Sequence, residues 1–222
     1  MKNKKKGFTL AEVLITLGII GVVAAMTLPT IVANYQKQAT VGKIKKFYTN
    51  MNQVYLRAQA DNGEYSTWSY NNVEDYYNKY IKPYLVNVDK IQKGIHLHGL
   101  ISDKCSMRVI FADGTQAIIA ICSEYQYGNN EKAVIIFDTK VNKHTSIDSS
   151  YIKYPTRERF SFIINDKGVV TFPKISNTRG QNLAKCKKFQ PANGIDYGSN
   201  GYVTCSTVIY KDGWKISDDY PW

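Results

Sequence analysis

The chain has 222 residues, a net charge of +11 and 17 tyrosines. Its lysines are spread along the whole length and form no basic stretch interleaved with aromatics at a readable spacing. That pattern argues for a solvated lysine surface and against a nucleic-acid partner.

The first segment, Met1 to Lys6, carries Lys2, Lys4, Lys5 and Lys6. An apolar run from Phe8 to Leu28 follows, and Glu12 is its single ionisable side chain. At about 1.5 Å rise per residue such a run spans the roughly 30 Å hydrocarbon core of a bilayer. The lysines before it hold the N-terminus on the cytoplasmic side, so the remainder is exported. A carboxylate inside a membrane helix costs about 2.5 to 3.5 kcal/mol on insertion scales, so Glu12 requires a reason. A secretory signal peptide would carry no Glu there and would end in a small-x-small site, of which Ala24-Ala25-Met26 is a poor version. A plain single-pass anchor fits the length and leaves Glu12 unexplained.

After Pro29 the helical pattern continues. Ile31, Tyr35, Ile44, Phe47, Tyr48, Met51, Val54, Tyr55 and Ala58 follow, and from Ile44 the spacing of three, four, three marks one helical face. Lys43, Lys45 and Lys46 lie off it. The spacing predicts one helix from about Thr9 to Ala60, kinked at Pro29 and stopped by Asp61-Asn62-Gly63. The head beyond it has about 160 residues, enough for one core. Tyr65, Trp68, Tyr70, Tyr76, Tyr77, Tyr80 and Tyr84 crowd its start and suit packing on the helix, a subunit contact or a receptor-binding face. A short helix is predicted over 72–81, stopped by Pro83. Strands are predicted over 105–112, 115–122, 133–137, 160–164, 169–172 and 207–210, with Asn165-Asp166-Lys167-Gly168 as a hairpin turn. The fold class is α+β: a long N-terminal helix packed on an antiparallel sheet.

Four cysteines in an exported chain allow three connectivities. Asp113-Gly114 reads as a two-residue hairpin loop. On that register Cys105 and Cys122 are cross-strand partners in a non-hydrogen-bonded pair, about 4.5 Å apart at Cα and within disulfide reach. Met107, Val109, Phe111, Ile118 and Ala120 would share their face. Cys186 and Cys205 then close a C-terminal loop. No C-x-x-C spacing exists, so zinc is not expected. His96-x-His98 lacks a third ligand. Asp212, Asp218 and Asp219 match no calcium-loop spacing and read as solvated turns. No phosphate loop and no nucleophile motif is present, so neither a cofactor nor an enzyme is expected.

The stretch Gly7-Phe8-Thr9-Leu10-Ala11-Glu12 resembles the class III signal of type IV pilins and pseudopilins, G-F-T-L-x-E. Gly21, Ala24, Ala25 and Pro29 also fall where many members of that family carry small residues and a helix-kinking proline. The ending, Cys205, Asp212-Gly213-Trp214-Lys215 and Asp219-Tyr220-Pro221-Trp222, resembles the ends of pilin-like proteins of some gut-associated bacteria. The resemblance implies cleavage between Gly7 and Phe8 by a prepilin peptidase and N-methylation of Phe8. It implies a leader over 1–7, a helix over 8–60 with its membrane part at 8–28, and an exported head over 61–222. It also implies that Glu12 neutralises the Phe8 amine of a neighbouring subunit, with an assembly platform and ATPase as further partners. The disulfide-bounded C-terminal loop is likewise a feature of many such pilins. The expected product is a subunit of a type IV pilus or type II secretion pseudopilus, held in the inner membrane before assembly into a surface or periplasmic filament. Two alternatives remain: a fibre-displayed adhesin or DNA-capture subunit, and a membrane-anchored protein that never polymerises.

Overall fold

The computed structural model describes residues 7, 9–69, 72–93, 105–121, 133–141, 155–172, 178–188 and 201–222. They form two compact units, Met1–Ala39 and Thr40–Trp222. Helix α1 runs from Leu10 to Asn62 and carries Pro29 inside it without ending there. Its buried residues are Ile44, Phe47, Met51, Val54, Tyr55 and Ala58, the face that the spacing predicts from Ile44 onward, while Tyr48 is half-buried and Ile31 and Tyr35 are exposed. Gly63, at φ +81°, ends the helix, and its N–H donates to the Gln59 carbonyl (3.0 Å).

Five of the aromatic residues that crowd after α1 are core; Tyr84 is half-buried against them, and Tyr70 lies outside the described residues. Tyr65, Trp68, Tyr76, Tyr77 and Tyr80 are all buried. Trp68 stacks on Tyr80 at 4.2 Å between ring centroids, and Tyr55 and Tyr76 share a 2.9 Å hydroxyl bond. The helix predicted over 72–81 is α2 (Val73–Tyr76), capped by the Asn72 side chain. It widens into a π turn at Tyr77–Ile81 and tightens into a 3-10 turn at Lys82–Tyr84.

Six strands follow in one antiparallel sheet, paired in sequence order: β1 (Val88–Lys93), β2 (Ser106–Phe111), β3 (Gln116–Ala120), β4 (Ala133–Asp138), β5 (Arg159–Ile164) and β6 (Val170–Thr171). Strand β1 is absent from the sequence expectation. Val-Asp-Lys-Ile-Gln-Lys has few β-formers and suits an edge, where lysines discourage pairing with another chain. The other edge, β6, is closed by a side chain. Asn52 of α1 accepts from the Val170 N–H (3.0 Å) and donates to the Val170 carbonyl (3.3 Å), acting as a substitute strand.

The β2–β3 register corrects the sequence reading by one residue. Met107 pairs with Ile119 and Val109 with Ala117. Gly114 N–H donates to Phe111 O (3.0 Å), and Phe111 N–H to Thr115 O (2.9 Å). The loop is therefore Ala112-Asp113-Gly114, a turn closed by a left-handed glycine at φ +75°, rather than a two-residue turn. Asp113 holds this form by accepting from the Thr115 N–H and hydroxyl. Because side chains alternate, the shift exchanges the faces of β3. Ala117, Ile119 and Ile121 join the core beneath α1, while Ile118 and Ala120 point to the other face.

Both faces of the sheet are buried across β3, β4 and β5 and most of β2, while β1 is at most half-buried. Beneath α1, Phe47 stacks on Phe137 at 4.2 Å. On the opposite face Asp138 accepts from Arg159 Nε (2.7 Å) and Nη2 (2.8 Å) and from Gln116 Nε2 (2.6 Å). This buried pair has its hydrogen bonds satisfied, the condition under which charge is tolerated in a core.

A single helical turn, α3 (Pro155–Glu158), leads into β5. The C-terminal part also departs from expectation. Residues 207–210 belong to helix α5 (Gly201–Lys211), not to a strand. Thr204, Thr207, Val208 and Ile209 favour strands by propensity. Packing overrides that preference: Cys205, Val208 and Ile209 lie at helical spacing and are fully buried. Ser206 Oγ donates to Ser161 O of β5 (2.7 Å). Before α5 comes α4 (Arg179–Lys188), whose lysine-rich sequence offers little apolar periodicity beyond Leu183 and Cys186.

Candidate processing and assembly site

Helix α1 begins with a reciprocal cap. The Thr9 hydroxyl accepts from the Glu12 N–H (3.2 Å), while Glu12 Oε2 accepts from the Thr9 N–H (2.8 Å) and the Thr9 hydroxyl (2.9 Å). This is a capping box, and a carboxylate in the first turn also suits the positive end of the helix dipole. Glu12 thus has a partner within its own chain. The Thr-x-x-Glu spacing announces this arrangement, and sequence reasoning aimed at a neighbouring subunit overlooked Thr9. Gly7 is exposed. Phe8 lies outside the described residues.

The helix beyond the cap exposes its apolar side chains. Leu10, Leu14, Ile15, Leu17, Ile19 and Ile20 are all exposed. Among the described residues α1 is the one helix long and apolar enough to cross a membrane. A Cβ added at Gly18 or Gly21 would meet nothing within 4 Å. These glycines therefore fill no packing need inside the subunit.

The chain matches a prokaryotic N-terminal methylation motif over residues 2–28. Its N-terminus is a prepilin signal of the type IV pilin and pseudopilin type. From residue 30 to 222 it matches a family of unknown function, DUF6613. It belongs to that family. The two matches divide this DUF6613 chain at Pro29, between the apolar run and everything after it. No curated protein and no solved structure matches it.

Away from the N-terminus, Cys186 of α4 and Cys205 of α5 form a disulfide with Cα atoms 5.0 Å apart, both fully buried. Cys105 is disulfide-bonded as well, and its carbonyl accepts from Ile121 N–H (3.0 Å). Cys122 lies outside the described residues, as do His96 and His98. The register argument that paired Cys105 opposite Cys122 does not stand, since Ile121 occupies that place.

The C-terminal aspartates lie in turns, as expected, but two of them, Asp212 and Asp219, are held by an arginine. Arg179 of α4 bonds Asp212 through Nε and Nη2, and Asp219 through Nη1 (2.9 Å) and Nη2 (2.8 Å). Ser217 Oγ accepts from Arg179 and donates to Asp212 Oδ2 (2.7 Å). The guanidinium fills the place between the two carboxylates that a cation would need. Its hydrogen bonds hold the Asp212 and Asp219 carboxyls below the usual carboxylate range. Asp218 stands outside this clamp. The tail is tied down further by Tyr220, whose buried hydroxyl donates to Thr156 O (2.6 Å). Among the described residues no group of three His, Cys, Asp or Glu gathers in a metal-binding arrangement.

Proposed function

We propose that this chain is a structural subunit of a pilin-like filament, either a type IV pilus or a type II secretion pseudopilus. The observation that carries the reading is the Gly7–Glu12 signal at the start of an apolar helix whose first half exposes its large apolar side chains. A prepilin peptidase cuts between Gly7 and Phe8 and methylates Phe8. The subunit then waits in the inner membrane with its N-terminus cytoplasmic and its head exported, and an assembly ATPase and platform transfer it into the fibre. There the apolar helices cover one another, contributing roughly 25 cal/mol per Å² of apolar surface that would otherwise meet water. Gly18, Gly21, Ala24 and Ala25 allow close approach. Glu12 leaves Thr9 and pairs with the Phe8 amine of a neighbour, which sets the register between subunits more than it adds adhesion. A bend at Pro29 would let the two halves of α1 follow different directions in the fibre.

Burial of Tyr65, Tyr76, Tyr77 and Tyr80 removes the motive for an adhesive tyrosine face. The structural role is therefore favoured over a displayed adhesin. The reading is tested by mass spectrometry of the chain from cells that contain a prepilin peptidase. N-methylated Phe8 as the first residue is the expected result. An intact Met1, or a cut near Met26, would refute it.

A further inference from the structure

A cavity of about 370 Å³ opens on the head between one flank of α1 and the β2–β3 hairpin. Its size falls within the roughly 300 to 1,000 Å³ typical of small-ligand pockets. The floor is apolar: Phe47, Met51 and Val54 from α1 meet Phe111 from β2. Val86, largely exposed, stands at its wall. The chain turns into this wall at Asn87, at φ 60°, and Asn87 O accepts from Ala112 N–H (2.9 Å), which fixes the wall to the hairpin.

The rim is positive. Lys43, Lys46 and Arg57 line it with a single carboxylate, Asp113. Lys46 reaches Asp113 at 3.4 Å, and both side chains are about half exposed or more, so the pair is weak. Lys43 gives one of its three donors to Thr139 O (3.1 Å). Arg57 has no hydrogen-bond or ion partner among the described residues. An apolar floor under a rim with more cationic than anionic groups selects one chemistry. We propose that this cavity binds an amphiphilic acid, a compact apolar body carrying one carboxylate. Every lining residue lies within Thr40–Trp222, so the site stands or falls independently of filament assembly.

The test uses the full chain in lipid nanodiscs with methyl-labelled methionine. Met51 reports from the floor, and Met107, buried in β2, reports the fold. Titration with 4-phenylbutyrate should shift the Met51 signal saturably and leave Met107 in place. The matching alcohol, 4-phenylbutan-1-ol, should need about tenfold higher concentration, the ratio that a pair of charge contacts of up to about 1 kcal/mol each supplies. Arg57→Gln should weaken the acid about threefold, and Asp113→Asn, which removes the competing anion, should tighten it by a similar factor. Both change exposed side chains, and an unmoved Met107 signal verifies that each variant is folded. A Met51 signal that does not respond, equal affinity for acid and alcohol, or an Asp113→Asn variant that binds no tighter would each overturn the proposal.

Discussion

The two partners available to Glu12 can be separated by substitution. In the free subunit its carboxylate closes the capping box with Thr9. In the proposed fibre it neutralises an amine. Thr9→Ala removes the side-chain half of the box but keeps the backbone N–H at position 9 as a donor and keeps the charge. Loss of an N-cap side chain costs about 0.5 to 2 kcal/mol, felt as fraying of the first turn. Glu12→Gln does the reverse, because its amide oxygen still accepts from the position 9 N–H while the charge is gone. An amine left without its counter-ion in a low-dielectric core costs about 3 to 5 kcal/mol. At about 1.4 kcal/mol per tenfold, the second loss outweighs the first by one to three orders of magnitude in the assembly constant. The assay is the yield of sheared fibres relative to the membrane pool, in cells whose only copy is the variant, with processing checked by mass. Thr9→Ala should keep most of its fibre, and Glu12→Gln should lose nearly all of it while its membrane level holds. Equal loss in both variants would show that the cap, not the charge, is what assembly requires. A normal yield from Glu12→Gln would remove the register role altogether.

Gly168 sits at φ +67°, and a Cβ there would lie 2.7 Å from Tyr65 Cβ. Gly168→Ala should therefore cost about 2 to 4 kcal/mol, from left-handed strain and overpacking together. Gly114→Ala, at φ +75° with open space around it, should cost only the strain, about 1 to 2 kcal/mol. Urea midpoints that coincide for the two variants would contradict the packing argument. The Asp212 and Asp219 carboxyls are held low by Arg179, so their contribution is present above the ordinary carboxylate range and is lost as pH falls below about 4. Hydrogen exchange in 212–222 should rise on acidification in the native chain, and Arg179→Met should already be raised at neutral pH with little further change. Identical acid profiles would argue against the clamp. For the cysteines we propose Cys105–Cys122 beside Cys186–Cys205. Non-reducing peptide mapping should find both, and a Cys105–Cys186 or Cys105–Cys205 peptide would refute the pairing. Cys186→Ser should loosen α4 from α5, by roughly 3 kcal/mol for a loop of this length, and leave the β2–β3 hairpin folded.

Much of the candidate site was readable because its signals are local. The Gly7–Glu12 motif, the lysines before it and the unbroken apolar run each follow from adjacent residues. So does the Thr-x-x-Glu cap, although a reading directed at inter-subunit pairing passed over it. The stripe from Ile44 to Ala58 was legible for the same reason. Helical period needs only a few turns of sequence, and nothing in the head competes with it.

What the sequence left open depends on partners distant along the chain. Asp113-Gly114 is compatible with a two-residue or a three-residue loop. The choice depends on which face of β3 meets Phe47 and its neighbours on α1, and a shift of one residue reverses that face. Residues 207–210 carry strand propensity, yet α5 is decided by burial of Cys205, Val208 and Ile209 against α4 and β5, a gain larger than propensities of at most about 1 kcal/mol. Strand β1 has too few β-formers to announce itself and exists because β2 offers it an edge. Arg179 reaches Asp212 and Asp219 only after α4 and α5 are packed. The sequence alone therefore determined the signal, the membrane helix and the buried stripe, whose physics acts between near neighbours. Register, the C-terminal helix pair, the arginine clamp and the cavity were decided by tertiary structure, because their energies arise between residues that only folding brings together.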